Sequence, residues 1–195
     1  MPSPLKILMS EIRQCTECAD DLPYGPRPVL AAGAQASMLI IGQAPGIRVH
    51  KSGVPWDDPS GERLRDWMGM TFDTFYDSTK VAIVPMGFCY PGTGKSGDLP
   101  PRKECAKLWH GQLLPLLTEV KLTLLIGQYA QRYVLADRRK SNLTETVKAW
   151  REFTPEYLPL PHPSPRNNIW LKKNDWFTGD VLPYLKRRVR KAVSG

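Results

Sequence analysis

Four short apolar runs divide the chain and predict buried strands. The first, Met38–Ile41, is flanked by small residues and ends at Gly42. Comparable runs follow at Lys80–Met86, Leu122–Ile126 and Glu156–Leu160. Short, branched apolar runs bounded by turn residues are typical of strands buried on both faces of a parallel sheet. The pattern predicts a central four-stranded parallel sheet, with Pro85 weakening the second strand because proline has no N–H to donate.

Between the strands, apolar residues recur at helical spacing. In Ser60–Met68, the apolar positions fall on one side of a helix and the charged positions on the other. Further predicted helices are Pro4–Arg13, Glu104–Leu117, Gln128–Leu135 and Asp175–Ala192, the last interrupted near Gly179 to Pro183. Strands alternating with helices predict an α/β fold, a three-layer α/β/α sandwich. The length of 195 residues predicts a single domain, 1–195.

Composition narrows the class of protein without defining its function. The chain is 42% hydrophobic and 24% charged, which is typical of a globular protein. No apolar run approaches the roughly 20 residues of a membrane span, so no membrane partner is expected. The amino terminus carries charged residues early and has no secretory apolar core. We therefore expect a cytoplasmic protein, in which disulfides are rare.

The net charge of +8 is concentrated near the end of the chain. From His162 to Gly195, eight lysines and arginines stand against two aspartates, which supplies +6 of the total. A basic face beside a binding site indicates a phosphate-backbone partner such as a nucleic acid. A helix that carries lysines and arginines on its solvated face gives the same charge. Both interpretations are open from the sequence.

The loop after the first predicted strand is the leading candidate for a ligand site. Gly42–Gly46 reads Gly-Gln-Ala-Pro-Gly and lies at the carboxyl end of a strand, where ligands bind in open α/β sheets. It offers backbone N–H groups and the Gln43 amide. Trp56, Asp57 and Asp58 add an aromatic face and two carboxylates just before the next helix. An ordinary strand–loop–helix crossover is the alternative interpretation.

Four cysteines are the second candidate for chemistry. Cys15 and Cys18 form a C-x2-C pair, and Cys89 and Cys105 follow. Four thiolates suit zinc or an iron–sulfur cluster, and the spacing alone does not choose between them. Four unrelated buried thiols are the alternative, because free cysteine is a common core residue.

Taken together, these motifs resemble the uracil-DNA glycosylase superfamily, closest to its iron–sulfur branch, families 4 and 5. The resemblance extends from Cys15 to the last helix. The motifs in order are C-x2-C, G-x-A-P-G, G-x-P-[FW] with S-G, two single cysteines, G-Q-Y-A and H-P-S-P-R-N. The resemblance implies a [4Fe–4S] cluster, with zinc as the less favoured metal, that ties the amino-terminal segment to the loop after the second strand. Its implied ligands are Cys15, Cys18, Cys89 and Cys105.

The motifs combine features of several branches. Gln43 stands where family 4 carries glutamate, and an amide cannot act as a general base. Pro85 stands where family 4 has an asparagine that reads the uracil edge, which weakens strict uracil specificity. Asp58–Gly61 fits the acidic D-x-S-G motif of family 5. His162–Asn167 is similar to the loop of the single-strand-selective monofunctional uracil glycosylases.

The resemblance implies a base excision repair enzyme. It would flip a deaminated base, first of all uracil, out of DNA and hydrolyse its N-glycosidic bond to leave an abasic site. His162 is the expected donor to the departing base, and Asp58, with Asp57 adjacent, is expected to position water. The base is expected to contact Trp56 by stacking, and Gly42, Gln43 and Ala44. DNA contacts are expected from Ser60, Ser164, Arg166, Asn167 and Lys51, with Arg166 as the wedge. A monomer is expected.

Other interpretations stay open at this level. Gln43 and Pro85 favour a glycosylase for another deaminated base, hypoxanthine or xanthine. The missing loop carboxylate also fits a DNA-binding member of the superfamily without turnover. Asp58 is alternatively a cap of the following helix, since aspartate is a favoured N-cap residue. His110 is a weaker candidate, expected in packing or at the surface, and His50 lies in a predicted basic loop that can contact phosphate.

Overall fold

The structure, a computed structural model, describes residues 2–95 and 97–194. The ends of the predicted domain 1–195, Met1 and Gly195, lie outside these residues. Within them, no helix is long and apolar enough to cross a membrane. The strands are β1 (Met38–Ile41), β2 (Val81–Ile83), β3 (Thr93–Gly94), β4 (Gly97–Asp98), β5 (Leu122–Ile126) and β6 (Tyr157–Leu160). The α-helices are α1 (Pro4–Arg13), α2 (Ile47–Ser52), α3 (Pro59–Met68), α4 (Phe72–Tyr76), α5 (Lys103–Cys105), α6 (Gly111–Leu113), α7 (Gly127–Leu135), α8 (Leu143–Lys148), α9 (Asn168–Lys173) and α10 (Leu182–Val193).

β1, β2, β5 and β6 form one parallel sheet in the order β2-β1-β5-β6. β1 lies between β2 and β5, with Met38 opposite both Val81 and Leu122. Every residue of β1 is buried, as expected for a strand with helices on both sides. The predicted four-stranded parallel sheet is therefore confirmed.

Alternate residues of β1 face two separate hydrophobic cores. Met38 and Ile40 join a core completed by the apolar sides of α3 and α10. Leu39 and Ile41 join a second core with α1 and α7 on the opposite face. Because side chains alternate between the two faces of a strand, these cores make the three layers that the sequence predicts.

The second strand is shorter than the predicted Lys80–Met86. Its ladder ends at Ile83, two residues before Pro85. Pro85 has no N–H, so regular pairing with β1 stops there. The N–H of Met86 nevertheless donates to the Gly42 carbonyl at 2.9 Å. This bond keeps the chain after β2 beside the loop after β1.

Four short helices lie where the sequence predicts none. They are α2, α4, α8 and α9, each of five or six residues. A helix of less than two turns shows too few periodic positions to be recognised. The predicted basic loop around His50 and Lys51 is wrong, because these residues lie in α2. In the last predicted helix, a π-helical segment at Phe177–Val181 lies at the predicted interruption.

Candidate active site

The carboxyl edge of the sheet carries a pocket. The loops after β1, β2 and β6 meet there because these strands are parallel. Most of the lining is apolar, with one amide, one carboxylate and one imidazole among the side chains. The structure brings together six predicted site residues in this lining: Gly42, Gln43, Ala44, Trp56, Asp58 and His162.

Trp56 is fixed at the pocket by a rare backbone conformation. Its φ is +59°, in the left-handed region that bulky residues seldom adopt. A Cβ atom on Gly61 would lie 1.8 Å from the Trp56 carbonyl oxygen, so only glycine fits there. A Cβ atom on Gly42 would lie 2.9 Å from Cζ2 of the indole. The two glycines therefore leave the space that the indole and its backbone occupy.

His162 presents one hydrogen-bond donor at the pocket. Its Nδ1 accepts a bond from the backbone N–H of Ser164 at 3.2 Å. A neutral imidazole that accepts at Nδ1 carries its proton on Nε2. Burial lowers the pKa of His162, and the nearby Asp58 carboxylate only partly opposes this effect. The ring is therefore neutral near pH 7, and its centroid lies 5.5 Å from that of Trp56.

Asp58 both caps a helix and lines the pocket. Its Oδ1 accepts a bond from the N–H of Gly61 at 2.8 Å at the start of α3. The cap fixes the carboxylate at the pocket wall, so the predicted N-cap is confirmed, and positioning of water by Asp58 stays a prediction. Asp57 is exposed to solvent, whereas Ser60 is buried with 9% of its surface exposed. Neither belongs to the pocket lining in the part of the chain described.

Gln43 and Pro85 shape the polarity of the pocket wall. Nε2 of Gln43 donates a long hydrogen bond, 3.5 Å, to the Leu99 carbonyl. The amide offers both a donor and an acceptor to a ligand edge, but it cannot take a proton from water. Pro85 lines the pocket without any polar side-chain atom. The Gln43 amide and the backbone beside it are therefore the polar groups of this part of the pocket wall.

The loop that carries His162 is shaped by its own polar side chains. Nδ2 of Asn167 donates to the His162 carbonyl at 2.7 Å. Oγ of Ser164 accepts a bond from the N–H of Arg166 at 3.2 Å. The Arg166 guanidinium lies against Gly97, where a Cβ atom would be 2.2 Å from Nη1. Contacts of these three side chains with DNA stay a prediction.

Two residues of this region, Arg63 and Ile169, were not predicted from the sequence. Nη1 of Arg63 donates to the Ser164 carbonyl at 3.2 Å and to Oδ1 of Asn168 at 2.8 Å, so α3 clamps the loop. In the sequence Arg63 is only a polar position of an amphipathic helix, about a hundred residues from its partners. Ile169, just beyond the H-P-S-P-R-N motif, has 69% of its surface exposed.

Lys51 lies near the pocket on α2, which begins directly after the Gly42–Gly46 loop. Its side chain is exposed, and its backbone carbonyl accepts a bond from Nη1 of Arg27 at 3.1 Å. Val49, on the same helix, lines the pocket. Lys51 is therefore an exposed cation on the same short helix as a pocket-lining residue.

His110 supports the pocket from behind and is fully buried. Its Nε2 lies 3.0 Å from the Pro85 carbonyl, which can only accept, so Nε2 carries the proton. Burial lowers the pKa of His110. The sequence predicted His110 either in interior packing or at the surface, and the structure shows interior packing.

The four cysteines line a single cavity between the amino-terminal segment and the loop after β2. All are free thiols, and Cys18, Cys89 and Cys105 are buried. Burial raises the pKa of Cys89 to about 12 and that of Cys105 to about 11. Among residues 2–95 and 97–194, no group of three or more His, Cys, Asp or Glu side chains is arranged to hold a metal ion. The donor set fits an iron–sulfur cluster in kind and number.

The fold is that of an α/β protein with a pocket at the carboxyl edge of its parallel sheet. The family model of the uracil DNA glycosylase superfamily matches residues 30–186. The chain belongs to the uracil DNA glycosylase superfamily. Among solved structures it is similar to wild-type SMUG2 of Pedobacter heparinus, with 13% sequence identity and a TM-score of 0.36 over 82% of this chain and 74% of that chain.

Proposed function

We propose that the protein is a monofunctional DNA glycosylase of base excision repair. It flips a deaminated base, first of all uracil, out of DNA and hydrolyses the N-glycosidic bond to leave an abasic site. Membership in the superfamily supports the class of reaction. One observation carries the proposal: Nδ1 of His162 accepts from the Ser164 N–H, which leaves Nε2–H as a donor beside the Trp56 ring.

The chemistry of bond cleavage suits the residues of the pocket. Breaking the bond produces an anionic base and a cation-like sugar. A neutral His162 stabilises the anion by donating to a base oxygen, while the Trp56 ring stacks against the base. The Asp58 carboxylate, held by its bond to the Gly61 N–H, orients water and stabilises the sugar cation. Asp57 is exposed beside it and has no direct role in this mechanism.

Extraction of a base from the stack costs a few kcal/mol, which contacts made by the protein offset. Ile169 is an exposed apolar side chain of the type that enters a base stack. Arg166, three residues earlier, brings a cation to the loop just before α9. Lys51 brings a second exposed cation, on the helix that follows the Gly42–Gly46 loop. We propose that the partner is DNA containing a deaminated base, bound by a monomer in the cytoplasm.

Hypoxanthine or xanthine is the second candidate substrate. Pro85 contributes no polar group that would select the uracil edge. The Gln43 amide carries a donor and an acceptor, and both uracil and hypoxanthine present such a pair of groups. The identity of the base is therefore one of the outcomes of the excision experiment.

We further propose that the four cysteines hold a [4Fe–4S] cluster with a structural role. Their grouping around one cavity supports this, and the predicted consequence is a firm link between the amino-terminal segment and the loop after β2. Protein purified without oxygen is expected to contain iron and sulfide, and Cys89→Ser to lose both and melt at a lower temperature. Stoichiometric zinc, or no metal in the wild-type protein, would overturn the assignment.

Excision assays on single-stranded and duplex oligonucleotides containing uracil, hypoxanthine or xanthine test the function. His162→Ala is expected to lower the excision rate by about 10²–10³-fold, the usual effect of losing such a donor. Asp58→Asn removes the charge but keeps a favoured N-cap side chain, so it separates catalysis from folding. Asp57→Asn is its matched control and is expected to leave the rate unchanged.

The outcomes separate the candidate functions. Excision that collapses in His162→Ala and Asp58→Asn, but not in Asp57→Asn, supports the mechanism and identifies the base. A loss in His162→Ala alone removes Asp58 from the mechanism. If the wild-type protein binds DNA but excises none of the lesions, the proposed glycosylase activity is contradicted. That outcome favours a DNA-binding member of the superfamily without turnover.

A further inference from the structure

We propose that Tyr24 is a stacking site for an unpaired base of single-stranded DNA next to the base in the pocket. The proposal rests on the function proposed above and adds to it a preference for single-stranded substrate. It joins three observations: an exposed aromatic ring, a rigid aromatic support beneath it, and a set of cations beside it.

Tyr24 is a large aromatic side chain that is mostly exposed, so it adds little to the hydrophobic core. Its side chain lies in the proline-rich connection before β1, with 61% of its surface exposed. Its ring centroid lies 5.8 Å from that of His50 and 5.8 Å from that of Tyr90. His50 and Tyr90 are themselves 8% and 3% exposed. Two buried rings therefore support a third whose outer surface faces solvent.

This aromatic cluster of Tyr24, His50 and Tyr90 lies next to the pocket. His50 follows Val49 in α2, and Val49 lines the pocket. Tyr90 follows Cys89 in the segment after β2. Pro85, in the same segment, also lines the pocket. Because Val49 and His50 are consecutive residues of α2, the pocket and the cluster adjoin neighbouring sides of the same short helix. The proposal places a nucleotide that flanks the flipped base over this helix.

The charges around the cluster suit a nucleic acid backbone. Arg27 donates from Nη1 to the Lys51 carbonyl at 3.1 Å, which holds the guanidinium beside the end of α2. The side chains of Arg48 and Lys51 are exposed on the same helix. Burial, with the charge of Arg27, lowers the pKa of His50, so the ring below Tyr24 is neutral. Arg27 is therefore a cation beside the aromatic cluster, and Arg48 and Lys51 are exposed cations on the helix that carries His50.

An exposed ring flanked by cations is the arrangement with which proteins bind single strands. Bases of any sequence stack on aromatic side chains while lysines and arginines follow the phosphates. A base inside a duplex is already stacked on both sides and gains nothing from Tyr24. The cluster is therefore expected to favour single-stranded over duplex DNA.

Fluorescence anisotropy with a labelled, lesion-free single-stranded oligonucleotide tests the site. Tyr24→Ala is expected to raise the Kd by about 5- to 150-fold, the range for one stacked base. Tyr24→Trp is expected to keep the wild-type Kd because it restores a stacking face. Phe72→Ala is the matched control: Phe72 is 60% exposed on α4, packs against Tyr76, and is expected to leave the Kd unchanged.

The design separates this proposal from the glycosylase proposal. Lesion-free DNA requires no excision, so the binding result stands whether or not the protein is an enzyme. A Kd for Tyr24→Ala within twofold of wild type overturns the stacking site. An equal loss of affinity for a duplex of the same sequence overturns the preference for single strands. Melting temperatures equal to wild type show that each variant is folded.

Discussion

The protonation of His162 links the geometry of one ring to the pH range of activity. Only the neutral ring has Nδ1 free to accept from Ser164 and Nε2–H as its single remaining donor. Burial lowers the pKa below its ordinary value of 6.5, so the neutral ring predominates at and above that pH. The excision rate is therefore expected to fall with a midpoint below pH 6.5, as the ring gains a proton.

Single-turnover excision rates measured from pH 4.5 to 8.5 check this expectation. The His162→Ala protein is expected to be slow throughout and to lack the acidic decline caused by the ring. A decline centred above pH 6.5 in the wild type would contradict a neutral, buried imidazole. Melting temperatures over the same range show whether the decline comes from catalysis or from unfolding.

The sequence predicted six of the residues that line the pocket, but not how they are held. Trp56 and Asp58 follow from their position after a strand and before a helix. The positive φ of Trp56 does not, because nothing local in the sequence indicates a left-handed tryptophan. The space left by Gly42 and Gly61 becomes meaningful only when both glycines meet the same side chain. Steric contacts between residues that are distant in the sequence leave no periodic pattern of apolar and polar positions.

Arg63 connects two elements that carry different parts of the site. It lies on α3, which begins at Asp58, and its guanidinium binds the loop after β6 that carries His162. Arg63→Lys keeps the charge but cannot reproduce two bonds from a planar group. We expect kcat for excision to fall by up to about 10²-fold because His162 moves relative to Asp58. The free energy of unfolding is expected to fall by only about 1–2 kcal/mol.

Single-turnover kinetics and urea unfolding measure these two effects separately. Glu62→Gln, exposed and one residue earlier on the same helix, is the control and is expected to change neither. If Arg63→Lys lowers stability by the expected amount while kcat is unchanged, the clamp serves folding and not the position of His162. If the Kd for lesion-free DNA also rises, the loop contributes to binding as well.

Buried strands and helices of more than two turns were predictable, whereas helices of less than two turns were not. Leu122–Ile126 and Pro4–Arg13 match the structure to the residue, because burial imposes a pattern over their full length. α2 and α9 were missed, since six residues show less than two turns of periodicity. Both flank the pocket. Two residues that contact DNA in the proposed function lie on these helices. Lys51 was predicted in a loop, and Ile169 was not predicted as a site residue.

The arrangement of the whole molecule follows from its parallel sheet. All four strands point the same way, so their carboxyl ends bring segments from residue 42 to residue 162 to one edge. The sequence could predict this edge as the site, because the rule depends only on strand order and direction. It could not predict which edge of the sheet each end of α10 approaches. That position decides whether the basic residues of α10 lie beside the pocket or on a solvated surface away from it.

The basic residues of α10 lie away from the pocket. Nη2 of Arg188 donates to the carbonyl of Pro155 at 3.0 Å, and Pro155 precedes β6 at the amino edge of the sheet. Lys186 packs against Gly69, at the end of α3 farthest from Asp58. The structure thus favours the solvated-helix interpretation for this part of the charge. The cations of α2 and α9 lie next to the pocket loops instead.

The salt dependence of DNA binding distinguishes these two groups of cations. Removing one cation that binds a phosphate lowers the slope of log Kd against log salt by about 0.9 for duplex DNA. Four substitutions to glutamine on α10, at Lys186, Arg187, Arg190 and Lys191, are expected to leave the slope unchanged. Four matched substitutions beside the pocket, at Arg48, Lys51, Lys172 and Lys173, are expected to reduce it by about 0.9 for each cation that binds a phosphate. A reduced slope in the α10 variant would place DNA across α10, away from the carboxyl edge of the sheet, and contradict the proposed binding edge.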